Sequence, residues 1–269
     1  MKLFRRYSFA SAGFTILVCC FLISCQGEKK QDGPWKGHKS AVVLSYDDGL
    51  NEHLDIVAPT LDSAELKGSF YIPGNASTLD NRLKEWEDIA KNGHELGNHT
   101  LFHPCVGKSE GREWVESEYD LDDYTLPRIL DEIKMASTLL KAIDGKENRT
   151  FAYTCGDRVV EDTVFAPYLE DDILAARDVI ARMEQPGEID WMRVGAFVVD
   201  GHSGEELIAL AEKARKNGAL LVFLFHGVGG GHSLNVSTGA HKELVEYLAN
   251  RSDQFWIAPL SEIARHYNQ

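Results

Sequence analysis

Short apolar segments of strand character alternate with helix-patterned segments along most of this 269-residue chain. That alternation confines the fold to a parallel sheet, either doubly wound or closed into a barrel of βα units. Strand-type runs lie at Ala41–Asp47, Lys67–Pro73, His94–Thr100, Thr150–Cys155, Trp191–Val199, Ala219–Phe225 and Phe255–Ala258, and Val159–Pro186 adds a short helix and a strand near Leu174–Val179. Helical spacing predicts helices over Asn51–Glu65, Leu83–Asn92, Leu126–Ile143, Ser203–Asn217, Thr238–Arg251 and Ser261–Tyr267. Ser203 stands at an N-cap with Glu206 in the capping-box position. Seven or so βα units over roughly 230 residues suit a barrel-like closure in a single domain.

The N-terminus is a separate kind of segment. Lys2, Arg5 and Arg6 precede a short apolar stretch from Phe14 to Ile23, the pattern of a secretory signal and too short for a membrane span. Leu22-Ile23-Ser24-Cys25 resembles the bacterial lipobox, which implies cleavage after residue 24, lipid attachment to Cys25 and anchoring in a bilayer. Gln26 after the cysteine resembles outer-membrane sorting, with the body facing the periplasm or the cell surface. The expected organisation is a signal peptide over 1–24, a polar tether over 25–37 and one folded domain over 38–269.

Losing the three basic residues of the signal, and no acids, takes the formal charge from −14 to −17. So acidic a body is unsuited to nucleic acid or an anionic membrane surface and suits a neutral or cationic substrate. Of five cysteines, only Cys105 and Cys155 remain in the folded part. An oxidising compartment permits a disulfide between them, but sequence cannot establish the separation it needs.

Three stretches carry chemistry. The first strand runs Ala41-Val42-Val43-Leu44-Ser45-Tyr46 into Asp47-Asp48-Gly49. The C-terminal ends of barrel strands are where sites are built. Adjacent strand residues point opposite ways, so two neighbouring carboxylates need different roles or a twisted turn; the plain alternative is an Asp-Gly turn. The second stretch, Asn98-His99-Thr100-Leu101-Phe102-His103-Pro104, spaces two histidines at i and i+4. That spacing predicts one helical turn with both imidazoles on one face, able to chelate a metal. Two imidazoles and a carboxylate make an open, three-ligand site of the kind used in catalysis; two surface histidines are the alternative. The third stretch, Leu221–Phe225, delivers His226 to a strand end before a run of glycines. His226 is there a candidate acid or base. No Gly-Lys-Ser/Thr follows, so the glycines are not a phosphate loop.

These motifs resemble the polysaccharide deacetylases with the NodB-homology domain, carbohydrate esterase family 4. Ser45-Tyr46-Asp47-Asp48-Gly49 is similar to the family's Thr-Phe-Asp-Asp-Gly, His99-Thr100-Leu101-Phe102-His103 to its His-Ser/Thr-x-x-His, and Leu224-Phe225-His226 to its late Leu-x-His. The resemblance implies a deformed (β/α) barrel of about seven parallel strands and a divalent metal, usually zinc, with cobalt or nickel as substitutes. It implies Asp48, His99 and His103 as ligands, Asp47 as general base and His226 as general acid. The implied reaction removes N-acetyl groups from a glycan.

The fourth strand departs from the pattern. Phe151-Ala152-Tyr153-Thr154-Cys155-Gly156 stands where the family often has Phe-Arg-Pro-Pro-Tyr-Gly, so the arginine that steadies the base is absent. Arg149, Arg158, Arg177 and Arg193 are the candidates to replace it, with Arg177 preferred. The backbone N–H of Cys155 falls where the family places an oxyanion donor. Asp190-Trp191 is a weak match to the family's tryptophan motif, and a core tryptophan is the plainer reading. His232, Ser233 and His241 are candidates to line the pocket; His94 and His202 read as structural. The rival functions are an O-acetyl esterase on xylan-type glycan and a non-catalytic glycan-binding lipoprotein. A non-haem iron oxygenase leaves Asp47 and His226 unexplained.

Overall fold

The computed structural model describes residues 33–108 and 110–268. The signal peptide, the lipobox at Cys25 and the tether up to residue 32 lie outside the described residues. Packing begins earlier than His38. Trp35 is buried and its Nε1 donates to the Gly218 carbonyl at 2.8 Å, so the last tether residues already belong to the body.

The strands of the main sheet are β1 (Ser40–Asp47), β2 (Ser69–Ile72), β3 (Glu95–Asn98), β4 (Arg149–Ala152), β5 (Ile173–Arg177), β6 (Phe197–Val198), β7 (Leu220–Phe225) and β8 (Phe255–Ile257). They form one parallel sheet in the order β5–β4–β3–β2–β1–β7–β6. β8 pairs with the first half of β1, while the second half pairs with β2. The sheet curls until its edges touch. Val194, leading into β6, bridges Arg177 at the end of β5, with Asp178 N donating to Val194 O at 2.7 Å. The result is a deformed (β/α) barrel in a single domain, in agreement with expectation. The run Trp191–Val199 is less regular than its composition predicts. At Gly195 the backbone of Ile180–Arg182 passes so close that a Cβ would lie 2.7 Å from the Arg182 carbonyl, which interrupts the ladder.

The longer helices on the outside are α1 (Ala58–Ser63), α2 (Leu83–Lys91), α3 (Leu126–Asp144), α4 (Gly204–Asn217), α5 (Thr238–Ala249) and α6 (Leu260–Tyr267), and a single helical turn at Ser77–Asn81 precedes α2. The predicted helix over Asn51–Glu65 is split. A wide turn at His53–Val57 precedes α1, whose first turn holds Pro59. The capping box of α4 is formed, with Ser203 N donating to Glu206 Oε2 and Glu206 N to Ser203 Oγ. Among the described residues no helix is long and apolar enough to cross a membrane.

Strand parity sorts the core. Val42, Leu44 and Tyr46 of β1, with Leu221, Phe223 and Phe225 of β7, face the helices. Ala41, Val43, Leu220, Val222 and Leu224 face the barrel interior with Ala175, Val194 and Ala196. Both faces are buried, which explains the nearly continuous apolar runs. The interior also holds a polar column. Buried Glu95 accepts from Thr150 N, Thr150 Oγ1, Ser69 Oγ and Ser261 N, so a lone carboxylate is saturated with donors and ties α6 to the barrel floor. Above it Tyr71 Oη bonds Thr150 Oγ1 at 2.8 Å. The same parity points Asp47 inward at the mouth.

Cys105 and Cys155 are disulfide-bonded across a sequence separation of 50. A loop of that length contributes about 4 kcal/mol through the unfolded chain in the entropy model. The bond joins the loop after β3 to the loop after β4.

Candidate active site

Every chemical residue at the mouth comes from the C-terminal end of a strand. β1 ends at Asp47, and Asp48 follows with φ +77. The left-handed residue is the twist that adjacent carboxylates require, because it swings Asp48 to the side of the chain that Asp47 faces. His99 Nε2 then lies 3.9 Å from Asp47 Oδ2 and 3.6 Å from Asp48 Oδ1.

The two histidines after β3 do not sit on a helical turn, contrary to the spacing argument. Thr100 (φ +64) and His103 (φ +53) are both left-handed, so the segment is a tight loop. Side chains pin it. Asn98 Oδ1 accepts from Thr100 N at 2.8 Å, its Nδ2 donates to the Ile133 carbonyl of α3, and Thr100 Oγ1 accepts from His103 N at 2.9 Å. The rings nonetheless meet, with centroids 4.7 Å apart. His99 Nδ1 bonds the Ala152 carbonyl at 2.9 Å, which requires the proton on Nδ1 and leaves Nε2 as a lone pair facing Asp48. Burial pushes the His99 pKa down to about 4, so the ring is neutral. His103 Nε2 lies 3.4 Å from Asp48 Oδ1.

The ligand atoms of Asp48, His99 and His103 all lie within 4.8 Å of one another. One carboxylate and two imidazole nitrogens, one of them oriented by a carbonyl, fit a divalent cation with positions left open. His103 also approaches Cys105 and Cys155, but the disulfide removes their thiols.

Asp47 is buried against a cation. Arg177 Nη2 lies 2.6 Å from its Oδ1 and 2.5 Å from its Oδ2. Burial alone would raise the Asp47 pKa; the Arg177 charge, the nearby His99 and His226 and the Arg177 hydrogen bond together outweigh it and hold the carboxyl below its ordinary range. The other three candidate arginines are engaged elsewhere: Arg149 with Asp144, Arg158 and Arg193 with Asp178. The register explains the substitution. Ala152 and Arg177 are partners across β4 and β5, so the guanidinium enters from the neighbouring strand over a residue small enough to admit it. Tyr71 lies beneath, with Arg177 Cζ 5.1 Å from its ring centroid.

His226 follows β7 with Nδ1 buried and without a hydrogen-bond partner among the described residues. Burial lowers its pKa, against the charges of Asp47 and Asp48. Its carbonyl accepts from His53 Nε2 at 2.9 Å, the tautomer being set by Leu50 N donating to His53 Nδ1. Cys155 is left-handed (φ +54), and its loop is held by the disulfide and by Arg112, which donates to the Cys155 carbonyl and to Asp157. Of the other candidates, His232 stacks on His226 at 4.6 Å. His241 is buried in the outer core with Nε2 on Tyr46 Oη, Ser233 is exposed, and Trp191 packs on Tyr267. His94 bonds Gly68 N and Asp62, a structural role. Sequence reasoning missed His53 and Tyr71. A histidine shortly after the Asp-Asp motif was the available signal for the first; Tyr71 shows only as an apolar strand residue.

The family model for polysaccharide deacetylases matches residues 36–167, which hold Asp47, Asp48, His99 and His103. The chain belongs to the polysaccharide deacetylase family. A peptidoglycan-N-acetylglucosamine deacetylase of Bacillus cereus is 34% identical over 84 residues, 30% of this chain and 29% of its own length. The chain spans less than a third of the length of the curated relatives it matches. Among solved structures, a polysaccharide deacetylase from Mycobacterium smegmatis aligns with TM-score 0.57 and 17% identity, over 86% of this chain and 91% of that one. The carbohydrate esterase family 4 domain of a multidomain xylanase from the hindgut metagenome of Trinervitermes trinervoides aligns with TM-score 0.56 and 18% identity, over 85% and 91%. At these identities the structural likeness establishes the fold, and the fold is the family's barrel. Within the family frame, His226 lies beyond the matched segment, and so does Arg177, on the strand next to the one where the family motif carries its arginine.

Proposed function

We propose that this chain is a metal-dependent hydrolase that removes N-acetyl groups from a cell-envelope glycan. The observation that carries the reading is a carboxylate held ionised by a buried arginine, Asp47 on Arg177, beside three convergent metal donors, with His226 close enough to feel both acids. The name of the Bacillus cereus relative supports N-acetylglucosamine as the sugar. The acidic body supports a neutral or cationic glycan. The lipobox-like residues 22–25 support a bilayer anchor at Cys25, with outer-membrane sorting after it.

A divalent cation, zinc by preference, held by Asp48, His99 and His103 would lower the pKa of water and polarise the acetyl carbonyl. Asp47 takes the proton from the attacking water. Arg177 keeps Asp47 unprotonated until then. The N–H of Cys155 faces the carbonyl oxygen as it gains charge. His226 gives a proton to the nitrogen as the carbon–nitrogen bond breaks, because an unprotonated amine leaves poorly. The products are acetate and a free sugar amine.

The test is acetate release by the chain lacking residues 1–25, with zinc or with chelator, on chitin oligosaccharides, peptidoglycan and acetylated xylan. Zinc-dependent release from an N-acetylated glycan is expected. Release from xylan alone would make the protein an esterase. No release from any of them by metal-loaded protein would contradict hydrolysis and favour glycan binding.

A further inference from the structure

The loop after β7 closes on itself and presses against the loop after β1. Gly227 N donates to Leu234 O at 3.0 Å, Gly229 N to Val236 O at 2.8 Å and Gly230 N to Asn235 Oδ1 at 3.1 Å. Gly231 has φ +82, and a Cβ there would lie 2.1 Å from Glu52 Oε2. The left-handed backbone favours glycine there, the hydrogen bonds hold the loop in place, and its next residue is His232.

His232 Nδ1 accepts from Leu234 N at 3.0 Å, which places the ring proton of the neutral imidazole on Nε2. That Nε2 lies 3.9 Å from Asp48 Oδ2. The two oxygens of Asp48 are thereby divided. Oδ1 faces His99 and His103, and Oδ2 faces an N–H. At 3.9 Å the contact is longer than a direct hydrogen bond and acts through the N–H dipole or one bridging water. His232 is outside the group whose ligand atoms lie within 4.8 Å of one another, so its place is behind the ligand. Its ring also covers His226, with planes 16° apart. Among the described residues His226 Nδ1 has no hydrogen-bond partner, which leaves this stacking to fix the imidazole's tilt.

We infer that His232 is a positioning residue that orients the metal-binding carboxylate of Asp48 and the ring of His226 through two separate contacts, an inference that rests on Asp48, His99 and His103 being the metal ligands. Groups that orient metal ligands from behind typically account for about 10- to 100-fold in affinity.

The test is the zinc dissociation constant of the full chain in detergent, by competition with a chromophoric chelator. Wild type is compared with His99→Ala, His232→Ala, His232→Phe and His232→Gln, all with thermal melting as a check on folding. His232→Ala and His232→Phe should each weaken zinc binding by about 10-fold or more, whereas His232→Gln, which keeps an N–H donor, should recover most of that loss. At saturating zinc, His232→Phe should keep a higher kcat than His232→Ala, because it keeps a flat ring on His226. Wild-type zinc affinity in both His232→Ala and His232→Phe would overturn the inference and leave the ligand assignment standing. Wild-type affinity in His99→Ala would overturn the ligand assignment and His232's role with it.

Discussion

Arg177 shows how a charge can be moved without moving the chemistry. The proposed base needs a cation at its carboxylate, and the strand where the family supplies it carries Ala152 instead. The register puts Arg177 directly beside Ala152, so the same volume is filled from the next strand. Removing the guanidinium leaves a buried carboxylate unpaired, which typically costs about 3–5 kcal/mol and raises its pKa. Arg177→Ala should therefore lose most turnover, and the exchange Ala152→Arg with Arg177→Ala should restore part of it. An exchange variant that folds yet stays as inactive as Arg177→Ala would show that the cation works only from β5. At this scale the sequence reveals what is local. The Asp47-Asp48 pair and the His99–His103 spacing are visible because few residues separate their members. The choice among four arginines depends on a cross-strand register that no local pattern encodes, and the helical turn assumed for the histidines fails because Asn98 and Thr100 bond the backbone themselves.

At the level of elements, β3 is built around one close approach. A Cβ on Gly97 would lie 2.4 Å from the Tyr71 ring, which in turn lies beneath Arg177. Overpacking of this kind typically costs about 1–3 kcal/mol. Gly97→Ala should lower the melting temperature and, by tilting Tyr71 toward the Asp47–Arg177 pair, reduce kcat more than it raises KM. Unchanged kcat in a destabilised variant would confine Gly97 to packing. The helices and the longer strands are legible because amphipathic spacing and a capping box are properties of contiguous residues. β6 falls inside the predicted run Trp191–Val199, but its reduction to two residues of ladder and a single bridge at Val194 is not legible, because so short a pairing leaves no periodicity.

For the whole molecule, buried neutral histidines set the response to acid. Burial lowers the pKa of His53, His94, His99 and His241 from 6.5 to about 4. Between those values the unfolded chain binds protons that the folded chain refuses. Stability is thus fully present above about pH 6.5 and is lost as pH falls toward about 4. Denaturant midpoints measured in chelator should follow that course, and His94→Gln with His241→Gln should flatten it. A flat midpoint in wild type between those values would contradict it. The barrel itself was foreseeable from strand–helix alternation and from chemistry placed at strand ends, whereas the polar floor around Glu95 was not, since its four donors come from three separate elements.

The most direct measurement is zinc content and acetate release for Asp47→Asn beside wild type, on the same N-acetylated glycan. The proposed mechanism requires that both bind zinc stoichiometrically, that chelator silences wild type, and that Asp47→Asn is slower by about 10²- to 10⁴-fold. Full-rate release by zinc-loaded Asp47→Asn, or by chelator-treated wild type, would contradict it.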